Sequence, residues 1–177
     1  MSKQAKSITQ IIVMLLIVAA IGFIIYVTLT KNHDNVAKVG DQAPEFQLKT
    51  TDGKTVRLSD YKGKGLILNF WGTWCEPCRK EMPALSNNYD QYKDKGVEVL
   101  AIHIKNTPQQ VDQFFRGLDK EVHIPVAFDN NNEVSDAFGV DPLPTTVVID
   151  KTGKITAVHE GEMSTSTIEN YMKSITP

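Results

Sequence analysis

Apolar and polar residues follow one another in short blocks along most of the chain, and this pattern predicts alternating strands and helices. Two continuous apolar runs, residues 66–71 and 97–104, are typical of strands that are buried on both faces of a sheet. The Asp52-Gly53 pair indicates a hairpin. Shorter runs bounded by turn residues predict further strands at residues 46–50, 55–58, 126–128, 145–149 and 155–159.

Amphipathic stretches between or after these runs predict helices. The longest begins near two cysteines and extends to about Lys95, with Pro83 as an expected kink. The others are predicted at residues 108–117, 133–138 and 164–174. Because strands and helices alternate, the pattern predicts an α/β fold with a largely parallel central sheet. The hairpin at residues 145–159 would add an antiparallel edge to that sheet.

Residues 11–29 form an uncharged apolar run that differs from the rest of the chain. As a helix this run would span about 28 Å, which matches the hydrocarbon thickness of a bilayer. A cleaved signal peptide is the alternative, but its apolar region is about 7–15 residues long and is followed by a small-residue cleavage site. No such site follows Leu29, so the pattern favours an uncleaved transmembrane signal-anchor.

This anchor divides the chain into four predicted parts. Residues 1–10 form a cytoplasmic tail, 11–29 the anchor, 30–43 a polar tether and 44–177 a folded domain. The basic tail is expected to stay inside, which places the folded domain outside the cytoplasmic membrane of a bacterial cell. Thiols tend to oxidise in that compartment.

The composition narrows the class of protein. With 41% hydrophobic and 23% charged residues, the chain is typical of a folded globular domain. Its formal net charge of −2 provides no general basic surface for nucleic acid, so no nucleic-acid partner is expected. Two cysteines exclude a scaffold of several disulfides, and a tetrahedral zinc site would need two ligands from elsewhere. We therefore expect neither a metal nor another cofactor.

Cys75 and Cys78 are the candidate reactive residues. They follow a buried strand and stand at the predicted start of a helix, where free N–H groups and the helix dipole stabilise a thiolate. Pro77 fits the first helical turn, where its missing donor costs nothing. Cys75 is therefore the expected nucleophile, and Cys78 the residue that resolves a mixed disulfide. The alternative is a purely stabilising bridge, which so small a ring disfavours.

Two neighbouring side chains are expected to affect this pair. Trp74 is predicted to form an aromatic rim beside Cys75 and to shield the disulfide. The charge of Glu76 disfavours a thiolate on Cys75 and so favours a more reducing couple. One exposed charge contributes about 0.3–1 kcal/mol, which is too little to decide the direction of the reaction. Three histidines are interpreted as structural or surface residues: His103, His123 and His159.

The string FWGTWCEPCRKEMP at residues 70–83 resembles the active-site region of the membrane-anchored thioredoxin-like proteins of the ResA and TlpA family. Three further strings are similar to that family: VGDQAPEFQL at 39–48, LSDYKGKG at 58–65 and DPLPTTVVID at 141–150. The resemblance implies a thioredoxin-like fold, a mixed sheet flanked by helices, preceded by one transmembrane helix. It also implies an N-terminal β-hairpin and an inserted strand–helix element at residues 121–140.

Pro144 matches the position at which thioredoxin-like proteins hold a cis-proline facing the disulfide. The backbone there can pair with an extended substrate segment beside Cys75. The alternative is a trans-proline that merely starts a strand. Together with the residues of the cysteine loop, the implied substrate-binding set is Pro144, Thr145, Trp74, Glu76 and Pro77.

Glu81 matches the glutamate that the family places behind the cysteines. On a helix it lies on the same face as Cys78, which precedes it by three residues. A partly enclosed carboxyl there would have a raised pKa and could exchange a proton with Cys78 as the disulfide opens or closes. The alternative is a solvated glutamate that pairs with Arg79 or Lys80.

The resemblance implies an extracytoplasmic thiol–disulfide oxidoreductase of the protein disulfide reductase type. Its implied client is the C-x-x-C-H haem-attachment site of apocytochrome c, and its implied electron donor is a membrane protein of CcdA type. A general reductase with another client is an alternative within the same class. A peroxiredoxin would need a P-x-x-x-T-x-x-C setting that this sequence lacks. A Sco-like copper chaperone would use Cys75, Cys78 and a histidine such as His159, but its cysteines are usually one residue further apart.

Overall fold

The computed structural model describes residues 3–31, 36–105 and 108–177 of the chain. The chain divides into two compact units, and the boundary between them falls between Val36 and Ala37. Within the tether predicted at residues 30–43, residues 32–35 lie outside the described part.

The first unit contains the helix α1 (Lys3–Lys31). Its large apolar side chains that are described, between Ile12 and Tyr26, are exposed. Among the residues for which the structure gives a position, no helix has both the length and the hydropathy that crossing a membrane requires. The transmembrane anchor at residues 11–29 therefore stays a prediction.

The second unit is built around a seven-stranded mixed sheet with the strand order β2-β1-β5-β4-β3-β6-β7. The strands are β1 (Gln47–Thr50), β2 (Thr55–Arg57), β3 (Gly65–Trp71), β4 (Val97–Ile104), β5 (Val126–Asp129), β6 (Thr145–Ile149) and β7 (Ile155–Glu160). The helices of this unit are α2 (Glu76–Tyr92), α3 (Pro108–Arg116), α4 (Glu133–Ala137) and α5 (Thr165–Ile175). The predicted α/β class with a mixed sheet is confirmed.

Parallel pairing is confined to the centre of this sheet. β3 pairs in parallel with β4, and β4 with β5, whereas the other neighbouring strands run antiparallel. The expectation of a largely parallel sheet is therefore wrong outside the centre. The two hairpins, β1–β2 and β6–β7, reverse direction at tight turns. β6 also runs antiparallel to β3, and β1 to β5, although no tight turn joins these strands. The hairpin predicted around Asp52-Gly53 is confirmed, with Leu48 opposite Val56.

Two apolar layers explain why β3 is almost continuously apolar. All of its residues are buried. Ile67 belongs to a cluster that includes side chains of α2, α3 and α5, whereas Leu66 and Leu68 belong to a second cluster that includes Val134 of α4. Since successive side chains of a strand point to opposite faces, a strand that is covered on both sides needs apolar residues throughout. Asn69 is the polar exception in this strand.

The helices follow the sequence prediction with small changes at their ends. A short 3₁₀ turn, Lys93–Lys95, completes the long helix that begins at the cysteines. Gly96 then ends it in the left-handed conformation, with φ at 83°. Pro83 lies inside α2. The predicted insertion at residues 121–140 contains β5 and α4.

One edge of the sheet brings together the segments that the sequence singled out. β3 and β4 end side by side, since Trp71 lies opposite His103 in the parallel register. β6 runs in the other direction and begins at the same edge, with Thr145 opposite Phe70. The turn that carries Cys75 leaves the sheet here, and the segment that ends with Pro144 enters it here.

Candidate redox-active site

A short turn connects β3 to α2 and carries the first cysteine. The Cys75 N–H donates to the Gly72 carbonyl at 3.1 Å, which closes the turn. Cys75 is the residue immediately before α2, and its Sγ accepts the Cys78 N–H at 3.2 Å. Pro77 stands in the first turn of the helix. The structure therefore places Cys75 at the positive end of the helix dipole.

Cys75 and Cys78 form a disulfide with an S–S distance of 2.03 Å. Cys75 is 8% exposed and Cys78 is 1% exposed, so Cys75 is the more accessible of the two. After reduction, a thiolate at Cys75 would keep the Cys78 N–H as a donor and the helix dipole as a stabilising field. Cys78 would remain enclosed behind it.

Glu81 is a buried carboxyl on α2 and is only 2% exposed. Its Oε1 accepts from Asn69 Nδ2 at 2.8 Å, and its Oε2 accepts from the Met163 N–H at 2.6 Å. Burial raises the pKa of Glu81 to about 7, against the opposing effect of these two hydrogen bonds, and the nearby charge of Glu162 raises it further. A carboxyl with this pKa exists in both protonation states near neutral pH.

The alternative of a solvated Glu81 paired with Arg79 or Lys80 is wrong. Arg79 turns away from Glu81: its Nε lies 3.9 Å from Glu76, and one guanidinium nitrogen donates to the Gly117 carbonyl at 3.1 Å. Lys80 is exposed. Glu81 instead points toward β3 and the segment before α5.

Asn69 is a functional candidate that the sequence reasoning missed. Its Nδ2 donates both to Glu81 and, at 2.9 Å, to Thr146 Oγ1 of the neighbouring strand β6. It is fully enclosed between the helices and the sheet, where an unpaired amide would be costly. The available signal was one polar residue within an apolar strand, six residues before the first cysteine.

The Leu143–Pro144 peptide bond is cis, so the alternative of a trans-proline is wrong. The Pro144 carbonyl accepts the Gly161 N–H at 2.8 Å, which ties this segment to the end of β7. Among the described residues, the backbone N–H and carbonyl of Leu143 make no hydrogen bond. Leu143 therefore offers a free donor and a free acceptor at the edge of the sheet where the cysteine turn lies.

The structure places the side chain of Thr145 inside the protein. Its hydroxyl donates to the Pro142 carbonyl at 2.8 Å, and the residue is buried. The implied substrate-binding role of Thr145 is therefore unavailable to its side chain in this conformation, because that side chain shapes the segment before Pro144. The sequence pattern could not distinguish a backbone contribution from a side-chain contribution at this position.

Three residues of the implied substrate-binding set lie on the surface around Cys75. Trp74 is 59% exposed, which is unusual for a large aromatic side chain outside α1. Glu76 and Pro77 are exposed in the first turn of α2. A client that reaches Cys75 would therefore contact an indole, a proline ring and a carboxylate.

The histidines occupy three different environments. His103, at the end of β4, is fully buried, and its Nε2 accepts the Thr73 N–H at 3.1 Å. Burial lowers the pKa of His103 to about 4. His159 of β7 lies 3.4 Å from the Tyr171 hydroxyl, and His123 lies 3.8 Å from Glu121. In the described ranges, no group of three or more His, Cys, Asp or Glu side chains is arranged to hold a metal ion.

Comparison with known proteins finds similar thiol–disulfide oxidoreductases both by sequence and by structure. Residues 39–158 match the AhpC/TSA family. The thiol-disulfide oxidoreductase ResA of Bacillus subtilis is 40% identical over 177 residues, which cover 100% of this chain and 97% of that protein. ResA of Geobacillus thermodenitrificans is also 40% identical, and the match covers 100% of each chain. A structure from Chlorobium tepidum, described as a thiol:disulfide interchange protein DsbE, has a TM-score of 0.72 at 30% identity and covers 79% of this chain and 99% of its own.

A thioredoxin-like fold with a Cys-x-x-Cys disulfide at the start of a helix defines the protein as a thiol–disulfide oxidoreductase. The full-length similarity to the ResA proteins narrows this class. The chain belongs to the ResA thiol–disulfide oxidoreductases, within the AhpC/TSA family. The family that the sequence motifs implied and the enzyme class, a thiol–disulfide oxidoreductase, are confirmed.

Proposed function

We propose that this protein reduces disulfides in client proteins outside the cytoplasmic membrane. The observation that carries the proposal is the placement of the less buried cysteine of the pair at the start of α2, with a buried carboxyl on the same helix whose pKa is near neutrality. The helix dipole and the Cys78 N–H favour a Cys75 thiolate, which is the attacking form of a thiol. Burial of Cys78 keeps the second thiol available for an internal reaction.

The reaction proceeds through two exchanges. In the first, the Cys75 thiolate attacks one sulfur of the client disulfide; the client S–S bond breaks, a Cys75–client disulfide forms, and the other client sulfur leaves as a thiolate. In the second, Glu81 accepts the Cys78 proton and the Cys78 sulfur attacks Cys75, which releases the second client sulfur. The client gains two electrons and takes up two protons, one that leaves Cys78 by way of Glu81 and one from solvent, while the enzyme ends with the Cys75–Cys78 disulfide.

The client chain docks in an extended conformation beside the cis-proline. The N–H and carbonyl of Leu143, which make no hydrogen bond to any residue that the structure describes, supply the donor and acceptor that such a segment needs to form backbone hydrogen bonds. The exposed Trp74 and Pro77 pack against the client side chains that flank its disulfide. Main-chain pairing gives little sequence selectivity, so this arrangement suits a recognition site that is defined mainly by its disulfide.

The client is the C-x-x-C-H site of apocytochrome c, and a membrane protein of CcdA type returns electrons to the enzyme. Support for these partners comes from the similarity to ResA over the whole chain, together with the motifs around Cys75 and Pro144. The uncharged run at residues 11–29 serves as a membrane anchor, with the redox unit on the outer side. A general reductase with another client is the second candidate within this class.

Trapping of the mixed disulfide tests the client. In a bacterium that makes c-type cytochromes, the full-length Cys78→Ser variant can complete the first exchange but not the second. We expect apocytochrome c to be recovered on Cys75 and to be released by a dithiol. The matched control is Cys75→Ser, which retains the enclosed Cys78 and should trap nothing. A broad set of unrelated exported proteins would favour the general reductase, and no adduct at all would contradict the proposed reaction.

Labelling of intact cells tests the location. A membrane-impermeant maleimide added after mild reduction should modify Cys75 without cell lysis, because the redox unit is outside. The Cys75→Ser variant is the control for labelling at the enclosed cysteine. Labelling that needs lysis would contradict the extracytoplasmic location.

A further inference from the structure

His103 lies directly beneath the turn that carries the reactive cysteine. It stands at the end of β4, opposite Trp71 in the parallel register with β3. Its ring packs edge-on against the Trp71 indole at 4.5 Å between centroids and lies 6.2 Å from the ring of Phe128 on β5. Because the residue has no exposed surface, its imidazole is held in one position by the sheet and the neighbouring rings.

The imidazole makes a hydrogen bond to the cysteine turn. The Thr73 N–H, two residues before Cys75, donates to His103 Nε2 at 3.1 Å. Within the same turn, the Cys75 N–H donates to the Gly72 carbonyl. The turn is thus closed within itself by one bond and attached to β4 by the other. Cys75 follows this attachment point by only two residues.

The same imidazole also contacts the exposed aromatic residue of the turn. The Trp74 indole lies edge-on to the His103 ring, with 5.9 Å between centroids. The indole also lies so close to Gly72 that a β-carbon added there would be 2.7 Å from the ring. Trp74, Gly72 and His103 therefore form one packed group around the turn.

We infer that His103 is a positioning residue for disulfide exchange: its imidazole accepts the Thr73 N–H and so fixes Cys75 and Trp74 relative to β4. This inference rests on the proposed role of Cys75 as the nucleophile. An imidazole can accept at Nε2 only when that nitrogen carries no proton. Burial lowers the pKa of His103 to about 4, which keeps the ring neutral across the range in which the enzyme would work.

Two amide substitutions separate the hydrogen bond from the packing. In His103→Gln the side-chain amide can place an acceptor near the position of Nε2, whereas in His103→Asn the shorter amide reaches only the position of Nδ1. Full-length reduced protein is mixed with 5,5′-dithiobis(2-nitrobenzoic acid) or with a disulfide-bonded peptide, and the rate of exchange at Cys75 is measured. We expect His103→Asn to lose about five-fold in kcat/KM and His103→Gln to stay within about two-fold of wild type. His123→Asn is the control for the same replacement at an exposed histidine.

Each pattern of rates decides the question. A slow His103→Asn variant that is rescued by glutamine, at similar urea midpoints, supports the inference. Equal rates in wild type and His103→Asn would overturn it, and so would equal losses in both amide variants. A wild-type protein that exchanges with no disulfide would contradict the proposed function itself rather than the role of His103.

A spectroscopic measurement tests the inference without any variant. The ¹⁵N chemical shift of His103 Nε2 in the full-length protein should be that of an unprotonated nitrogen from pH 5 to pH 8. The Thr73 amide should show the signature of a hydrogen bond to nitrogen. A proton on Nε2 in this range would overturn the inference, whatever the stability of the two amide variants.

Discussion

Two buried titratable side chains support the segment that carries the cysteine pair, and burial moves their pKa values in opposite directions. The pKa of Glu81 on α2 rises to about 7, and that of His103 at the end of β4 falls to about 4. The cause is the same at both places, since the interior disfavours a charged group. An acid and a base therefore both favour their neutral forms.

Glu81 and His103 differ in how readily each one exchanges a proton near neutral pH. The pKa of Glu81 falls where small changes in its surroundings shift the proton on or off, so this carboxyl can serve a reaction that moves protons. His103 stays neutral at the same pH and provides a fixed acceptor. One cause, desolvation, thus gives Glu81 the pKa that its proposed role as a proton carrier needs, and keeps His103 neutral for its proposed role as a fixed acceptor.

Replacing the proton carrier should have the largest effect. We expect Glu81→Gln to slow the second exchange, in which Cys78 attacks Cys75, by about 100-fold at neutral pH, because the buried thiol loses its base. The first exchange, measured with Cys78→Ser as a reference, should change little. Stopped-flow measurements across pH 6–9 separate the two steps. An unchanged second step would show that Glu81 is not the base.

Glu81→Gln should also abolish a pH-dependent loss of stability that the wild-type protein shows. The folded protein holds the Glu81 proton more tightly than the unfolded chain does, so wild-type stability falls as the pH rises from about 4.5 to about 7. Glu81→Gln lacks this loss. Relative to wild type, it should therefore gain stability between pH 5 and pH 8, by at most about 3 kcal/mol. Urea unfolding of both proteins at pH 5 and at pH 8 measures this gain. A difference in unfolding free energy between variant and wild type that is the same at both pH values would contradict the raised pKa.

Gly72→Ala should disturb the packed turn on the His103 side. The new methyl group would meet the Trp74 ring at 2.7 Å, so either the indole or the turn must move. We expect a loss of about 1–2 kcal/mol in the free energy of unfolding. Trp74→Ala removes the obstacle, so the double variant should lose less than the sum of the two single variants. Strictly additive losses of stability would show that the contact with the Trp74 ring does not cause the destabilisation by Gly72→Ala.

Asn69→Ala should change the pKa of Glu81 while leaving the Glu81 carboxyl in place. Its amide hydrogen bond favours the charged form of Glu81, so its loss should raise the pKa of Glu81 above the wild-type value. The pH dependence of the second exchange should move upward by the same amount. Thr146→Val removes the other partner of Asn69 and is the control, with an expected shift that is smaller. A downward shift in Asn69→Ala would contradict this account.

The smallest effect is expected from His103→Gln, on the pH dependence of the unfolding free energy above neutral pH. Because the pKa of His103 is lowered from 6.5 to about 4, its contribution to stability is lost only as the pH falls through that range. The unfolding free energies of wild type and His103→Gln should therefore run parallel between pH 7.5 and pH 8.5. They should diverge below about pH 6.5. Divergence at the alkaline end would show that another group titrates with this residue.

The parts of the fold and site that are local in sequence could be predicted from it. The apolar runs of β3 and β4 and the Asp52-Gly53 turn reflect interactions between near neighbours. The position of Cys75 before a helix followed from the same kind of pattern. The cis bond before Pro144 came from resemblance to a family and not from any periodicity.

The remaining features depend on contacts between distant parts of the chain. Glu81 receives the N–H of Met163, and Thr73 donates to His103, which lies 30 residues further along the chain. A polar residue in an apolar strand, such as Asn69, has no visible partner until the sheet and α2 are assembled. The antiparallel pairings of β6 with β3 and of β1 with β5 were not predicted, because alternation of strands and helices does not define the direction of each strand.

The carboxyl of Glu81 is held by β3, by α2 and by the segment that leads into α5. Asn69 of β3 and Glu81 of α2 are only 12 residues apart, whereas Met163 follows Glu81 by 82 residues. A nascent or truncated chain therefore exposes two thiols before it possesses a tuned acid to serve them. The surroundings that set the pKa of this carboxyl are therefore complete only when the distant segment around Met163 has folded against α2.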